Sequence, residues 1–237
     1  MNGKLPTGIR AALFDMDGVL LDSMPTHARC WRESMSLFGI SMPDIETYRI
    51  EGMRGIEICK MKAREQLNRE ISDEEAQKMY DEKSKAVDSS PKPKTMDGVK
   101  HLMEQMKADG LKIVIVTGSG HRSLLDDLEN RFPGLIDPTM MVTSYDVEHG
   151  KPHPEPYLRG MEKAGTKPEE TIVVENAPLG VRSAKAAGAF TIAVNTGPLP
   201  KEALLSEGAD MLFDRMTDLD EQWKNIKTKN KKHEKTI

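Results

Sequence analysis

Four short stretches of this 237-residue chain carry side chains that could do chemistry together. They are Asp15-Met-Asp17-Gly-Val-Leu-Leu-Asp22-Ser23, Thr117-Gly118-Ser119-Gly, Gly150-Lys151-Pro-His-Pro and Glu175-Asn176-Ala-Pro. Three follow directly on an apolar, β-branched run, and Gly150-Lys151 comes a short loop after one. An aspartate or glutamate that ends such a run is badly solvated unless it has a task. Gathered at one place, they would offer several carboxylates, a hydroxyl, an ammonium and a glycine turn. That set suits a dianionic phosphoryl group bridged to a divalent metal ion.

The elements needed to gather them can be read from periodicity. Ala11–Asp15, Lys112–Thr117, Met140–Thr143, Thr171–Glu175 and Thr191–Asn195 read as short buried strands. Helical stripes separate the later ones: Val99, Leu102, Met103 and Met106, closed by Gly110; then Leu124, Leu125 and Leu128; Tyr157, Leu158 and Met161; and Val181, Ala184 and Ala187, closed by Gly188. Strand–helix alternation of this kind predicts an α/β fold, a Rossmannoid parallel sheet flanked by helices. In such a sheet ligands bind beyond the carboxyl ends of the strands, where all four stretches fall.

Residues 25–94 show no strand pattern. Trp31, Met35 and Phe38 have helical spacing, Ile56, Cys59, Ala63 and Leu67 form a second stripe, and Ser72-Asp-Glu-Glu75 is a capping box opening a third helix. We therefore expect an all-helical cap at 25–94, inserted after the first strand into a core of 1–24 and 95–222. Two crossings between the parts suit a lid. Residues 223–237 carry six Lys and one Glu and are expected to form a basic, frayed tail.

Charge excludes some functions. The chain totals −4, but the tail contributes +5, leaving −9 on the first 222 residues. An acidic body argues against nucleic acid as a partner and is compatible with a metal ion or a metal-complexed anion. No apolar run approaches a membrane span, and no leader pattern opens the chain, so a cytoplasmic monomer without membrane contact is expected. Cys30 and Cys59 lack metal or disulfide spacing and read as buried thiols.

The DxDGVLxDS string, followed in order by Thr117, Lys151 and Glu175-Asn176, resembles the motifs of the haloacid dehalogenase superfamily of phosphohydrolases. The cap position resembles the β-phosphoglucomutase-like subgroup, and the resemblance covers all but the tail. It implies that Asp15 is a nucleophile forming an aspartyl-phosphate and that Asp17 is the acid and base for leaving group and water. Thr117, with Gly118 and Ser119, would donate to phosphoryl oxygens. Lys151 and Mg²⁺ would neutralise charge. Metal ligands would come from Asp15, the Asp17 carbonyl, and Glu175 or Asn176.

Two departures bear on substrate. Asn176 stands where a second acid is usual, which removes one charge from the metal shell. The cap stretch Ile50-Glu51-Gly52-Met53-Arg54-Gly55 has Glu51 where mutases of the subgroup place a lysine. Glu51 is thus expected to complete the Mg²⁺ shell on closure, a combination that resembles the inorganic-pyrophosphatase branch. Pyrophosphate is accordingly the first expected substrate. A small sugar or metabolite phosphomonoester is the second, a phosphoglucomutase reaction the third, and a receiver-like or non-catalytic phosphate-binding protein the reading of another class. His27 is expected to face the site or to cap a helix, Arg54 to clamp an outer phosphate or pair within the cap, and His121 to assist phosphate binding. His149 and His153 are expected to be structural, and Trp31 to be cap core.

Overall fold

Strand β1 (Ala11–Phe14) is fully buried and lies at the centre of a six-stranded sheet. With β2 (Lys112–Val116), β3 (Met141–Val142), β4 (Thr171–Glu175), β5 (Phe190–Val194) and β6 (Met211–Phe213) the order is β3-β2-β1-β4-β5-β6. All pairs are parallel. Because β1 is flanked by β2 on one side and β4 on the other, the chain reverses its winding there. A crevice opens beyond the carboxyl ends at such a switch point, directly after Phe14. The computed structural model describes residues 5–120 and 122–234.

Helices cover both faces. On one, Val99, Leu102, Met103 and Met106 of α5 (Val99–Ala108) pack with Leu128 of α6 (Arg122–Arg131), with Phe132, and with Leu219, Trp223 and Ile226 of α10 (Met216–Glu234). On the other, Tyr157, Met161 and Ala164 of α7 (Glu155–Ala164) and Ala184 of α8 (Pro178–Ala186) cover Leu13, Val114 and Val173. Strand β6 was not foreseen, because three edge residues are too short to show a period. A one-turn helix, α9 (Glu202–Leu205), precedes it.

The expected tail boundary at 223 needs correction. Trp223 is buried, its indole N–H donating to Asp109 Oδ2 at 2.9 Å, and Lys227 pairs with Asp109. Helix α10 therefore docks through the first turn of the presumed tail. The apolar residues Trp223 and Ile226, three apart, anchor it against the excess of lysines that suggested a solvated end.

Between β1 and α5 lie four helices, α1 (Met24–Ser36), α2 (Asp44–Ile50), α3 (Gly55–Leu67) and α4 (Asp73–Asp88). They enclose their own cluster, including Trp31, Met35, Ile58, Cys59, Ala63 and Met79. Ser72 caps α4 by accepting the Glu75 N–H at 3.1 Å. Helix α2 has too few apolar residues for a stripe, so spacing did not reveal it. Both cysteines are free and buried. Among the described residues no helix is long and apolar enough to cross a membrane.

Candidate active site

Asp15 follows β1 immediately and is buried. Lys151 reaches it from the loop after β3, its Nζ donating to Asp15 Oδ1 at 2.5 Å and to Glu175 Oε1 at 2.7 Å. Burial alone would discharge this ammonium, but the two carboxylates hold its pKa well above the lysine value. The same lysine donates to the Val116 carbonyl at 3.3 Å, so strands β1, β2 and β4 are joined through one charge.

Glu175 corrects one expectation. It was a candidate metal ligand, yet both its oxygens are occupied: Oε1 accepts from Lys151 and from the Tyr157 hydroxyl at 2.7 Å, and Oε2 accepts the N–H groups of Asn176 at 2.8 Å and Ala177 at 3.1 Å. It therefore positions Lys151. Helix α8 leaves room for it with a glycine, since a Cβ on Gly180 would lie 1.8 Å from Glu175 Oε1.

Two buried oxygens facing this crevice have no hydrogen-bond partner, Asp15 Oδ2 and Asn176 Oδ1. Burial, and behind it the Glu175 and Asp17 carboxylates, push Asp15 well up from the usual aspartate value despite Lys151. Orphaned hard oxygens and a carboxyl lacking positive charge are what a divalent cation satisfies. The residues present thus fit Mg²⁺, with Asn176 supplying an amide oxygen through the atom left unpaired.

Asp17 is handled differently. Its Oδ1 accepts the Ser23 hydroxyl at 2.5 Å and lies 3.2 Å from His27 Nε2. His27 Nδ1 in turn sits 2.9 Å from Lys83 Nζ. Lys83 thus backs His27 at one ring nitrogen while the other faces Asp17. Burial raises the Asp17 pKa, but His27, Ser23 and the Lys83 charge together bring it down to about 2. In this arrangement Asp17 is held as a carboxylate. Replacing His27 with Ala leaves burial unopposed by its main counterweight. The pKa that Asp17 contributes to the pH–kcat/KM profile should then move to higher pH, while a profile that stays in place would remove His27 from this role.

Lys83 escaped the sequence analysis. It lies in a helix crowded with charges, where a lysine usually points to water. The available signal was its place on the buried stripe of Ala76 and Met79, at offsets of seven and four. Its Nζ also stands 5.4 Å from the Trp31 ring centroid and 5.8 Å from that of Tyr80. Trp31 is cap core, as expected.

The cap loop presses on the core. A Cβ on Gly52, whose φ is +90°, would lie 2.7 Å from Lys151 Cδ, so only glycine passes there. Glu51 beside it lines a cavity of about 40 Å³ with Asp17, His27, Lys83, Gly118 and Ser119. Burial, with Asp17 nearby, raises the Glu51 pKa against the pull of His27 and Lys83. Space of that size holds little more than a water or two, so the cap must open to admit a substrate. Thr117 is buried and accepts the Ser119 N–H at 3.0 Å.

Arg54 is not brought to this cavity. It donates to the Glu148 carbonyl at 2.8 Å and lines an adjoining pocket of about 390 Å³ with Gln77, Tyr80, Ser84, Ser144 and Tyr145. It ties cap to core instead of pairing with a cap carboxylate. His121 lies outside the described residues.

Comparison with known proteins agrees with this geometry. Hexitol phosphatase A of Escherichia coli is 32% identical over 77% of this chain and 82% of its own. Pyrophosphatase PpaX of Bacillus mycoides is 33% identical, but over 49% of this chain and 54% of its own. A solved Bacteroides vulgatus structure, provisionally assigned as a β-phosphoglucomutase, superposes with a TM-score of 0.90 at 43% identity, covering 94% of this chain and 90% of that one. The family model of the haloacid dehalogenase-like hydrolases matches residues 12–194, from within β1 to the end of β5. With the sheet order and the strand-end residues that this match spans, the chain belongs to the haloacid dehalogenase-like hydrolases.

Proposed function

We propose that the protein is a Mg²⁺-dependent phosphohydrolase that works through an aspartyl-phosphate on Asp15 and takes small phosphomonoesters of the carbohydrate or polyol kind. The observation that carries the chemistry is Asp15 itself: one oxygen is held by Lys151 and the other is buried without a partner. One oxygen of the Asp15 carboxylate would attack phosphorus while the other remains for Mg²⁺, and the bond to the leaving oxygen would break. Lys151 stays charged beside the incoming phosphoryl oxygens, and Glu175 fixes where it stands. Asp17 would hand a proton to the leaving oxygen. The carboxylate left by that transfer then accepts a proton from the water that releases phosphate. Asp15, the Asp17 carbonyl and Asn176 would hold Mg²⁺, which supplies positive charge to the phosphoryl group.

Phosphomonoesters are favoured by the 390 Å³ pocket at the cap–core seam, whose hydroxyl and amide groups suit a polyhydroxylated leaving group. The hexitol phosphatase relative, which matches most of the chain, supports the same reading. Pyrophosphate, the first substrate expected from sequence, is supported by Glu51 in the wall of the small cavity and by a relative matching half the chain. It stands as the second reading.

A substrate panel separates them. We expect kcat/KM for hexose or polyol phosphates to exceed that for pyrophosphate, and Glu51→Ala to raise the Mg²⁺ concentration needed for half activity. A preference for pyrophosphate of more than about tenfold, abolished in Glu51→Ala with monoester turnover intact, would establish the second reading instead. No turnover of either would sink the hydrolase assignment of this site.

A further inference from the structure

Two histidines and a glutamate stand together on the outer side of the loop that delivers Lys151. One donor atom from each of His149, His153 and Glu155 lies within 4.8 Å of the other two. The imidazole centroids are 4.6 Å apart, and His149 Nδ1 is 3.2 Å from Glu155 Oε2. Lys151 points inward to Asp15, while both histidines are exposed. Nothing in the phosphohydrolase reading uses these three side chains.

The backbone under the cluster is already ordered. Glu155 opens α7, and its carboxylate accepts the N–H groups of Glu148 at 3.1 Å and His149 at 2.9 Å. The His153 N–H donates to the Gly150 carbonyl at 3.0 Å, and the Ser183 hydroxyl donates to the His153 carbonyl at 2.6 Å. A ligand would therefore have to order only side-chain torsions. The Glu148 and His149 amides also hold the Glu155 carboxyl below its usual range, so it is an anion at neutral pH. Each of its oxygens keeps a further lone pair. The His153 ring accepts the Glu155 N–H at 3.2 Å through Nδ1. That bond is long and exposed, and water can replace it when the ring turns to a ligand.

The geometry points to a surface site for one divalent transition-metal ion of the zinc class, ligated by His149, His153 and Glu155 with solvent completing the shell. Two imidazole nitrogens and one carboxylate oxygen form a donor set that zinc accepts, with a fourth position left open. Donors about a tetrahedral ion with bonds of ~2.1 Å stand roughly 3.4 Å apart, so the observed spacing closes with small shifts of exposed rings. Mg²⁺ prefers oxygen donors and sheds water reluctantly, so it would not compete here. The molecule would thus sort two cations by donor chemistry, with oxygen ligands inside the crevice and nitrogen ligands outside it.

The test is a Zn²⁺ titration of the metal-free full chain against a chromophoric chelator, in millimolar Mg²⁺. We expect one Zn²⁺ per chain with a dissociation constant of about 1 µM to 10 µM, persisting in Asp15→Asn. His149→Ala and His153→Ala, each checked for native circular dichroism, should weaken it by at least about tenfold. Affinity should also fall on acidification, because protons compete for the imidazoles. Zn²⁺ binding that survives His153→Ala but disappears in Asp15→Asn would place the metal in the crevice and overturn the proposal. Binding no tighter than about 1 mM in the unaltered chain would overturn it equally.

Discussion

Asp15→Asn should reduce turnover of any phosphorylated substrate by at least about 10⁴-fold with the fold intact. The substitution keeps the volume of the side chain and leaves an amide where the attacking carboxylate stood. Lys151 retains Glu175 as a partner, so the burial of that lysine is not left uncompensated. The loss should therefore be one of chemistry. Two measurements separate it from general damage. Urea unfolding should give a midpoint near that of the unaltered chain, and brief reaction with radiolabelled substrate should label the unaltered chain covalently but not the variant. Residual turnover above about one tenth would move the nucleophile elsewhere.

Lys151→Met should have the largest effect on stability. Lys151 is 2% exposed and stands between two buried carboxylates, so its removal leaves Asp15 and Glu175 facing each other without a cation. Breaking a buried ion pair by deleting one partner costs about 3–5 kcal/mol. Typical domains have only about 5–15 kcal/mol in all. The pH dependence gives the mechanism away. Glu175 keeps Tyr157 and two amides, but Asp15, already raised by burial, loses the Lys151 charge, so its native pKa lies above its unfolded one. Its penalty is thus absent below the unfolded value of about 4 and grows as pH rises above it. Unfolding of variant and unaltered chain at pH 7.5 and at pH 5 should show the gap narrowing on the acid side. An equal gap at both would assign the loss to packing instead. Turnover should vanish as well, since the phosphoryl group would meet a crevice without its ammonium.

Five of the six strands, the helical character of residues 25–94 and the place of Asp15, Asp17, Thr117 and Glu175 at strand ends were legible from residue order, with Lys151 in the loop after the third strand. Those features are local: a β-branched run ends, and the next polar residue necessarily lies at the sheet's edge. The roles of individual groups were less legible. Glu175 reads as a metal ligand in sequence, but four hydrogen bonds from Lys151, Tyr157 and two amides occupy it. Arg54 reads as an anion clamp or a partner within the cap, and what it holds is a backbone carbonyl ninety-four positions away. Trp223 reads as the start of a frayed tail, and it is held by Asp109.

The sequence by itself determined the fold class and the set of strand-end groups available for phosphoryl chemistry, because backbone periodicity and strand termination depend on neighbours a few residues apart. The tertiary structure decided which of those groups is free to react. A carboxylate's role follows from what its lone pairs already hold and from the charges buried beside it. The partners that decide this, Lys83 for His27 and Tyr157 for Glu175, come from helices on different parts of the chain. Only packing brings them within 3 Å, and only then does Asp15 stand out as the buried acid with an oxygen left over.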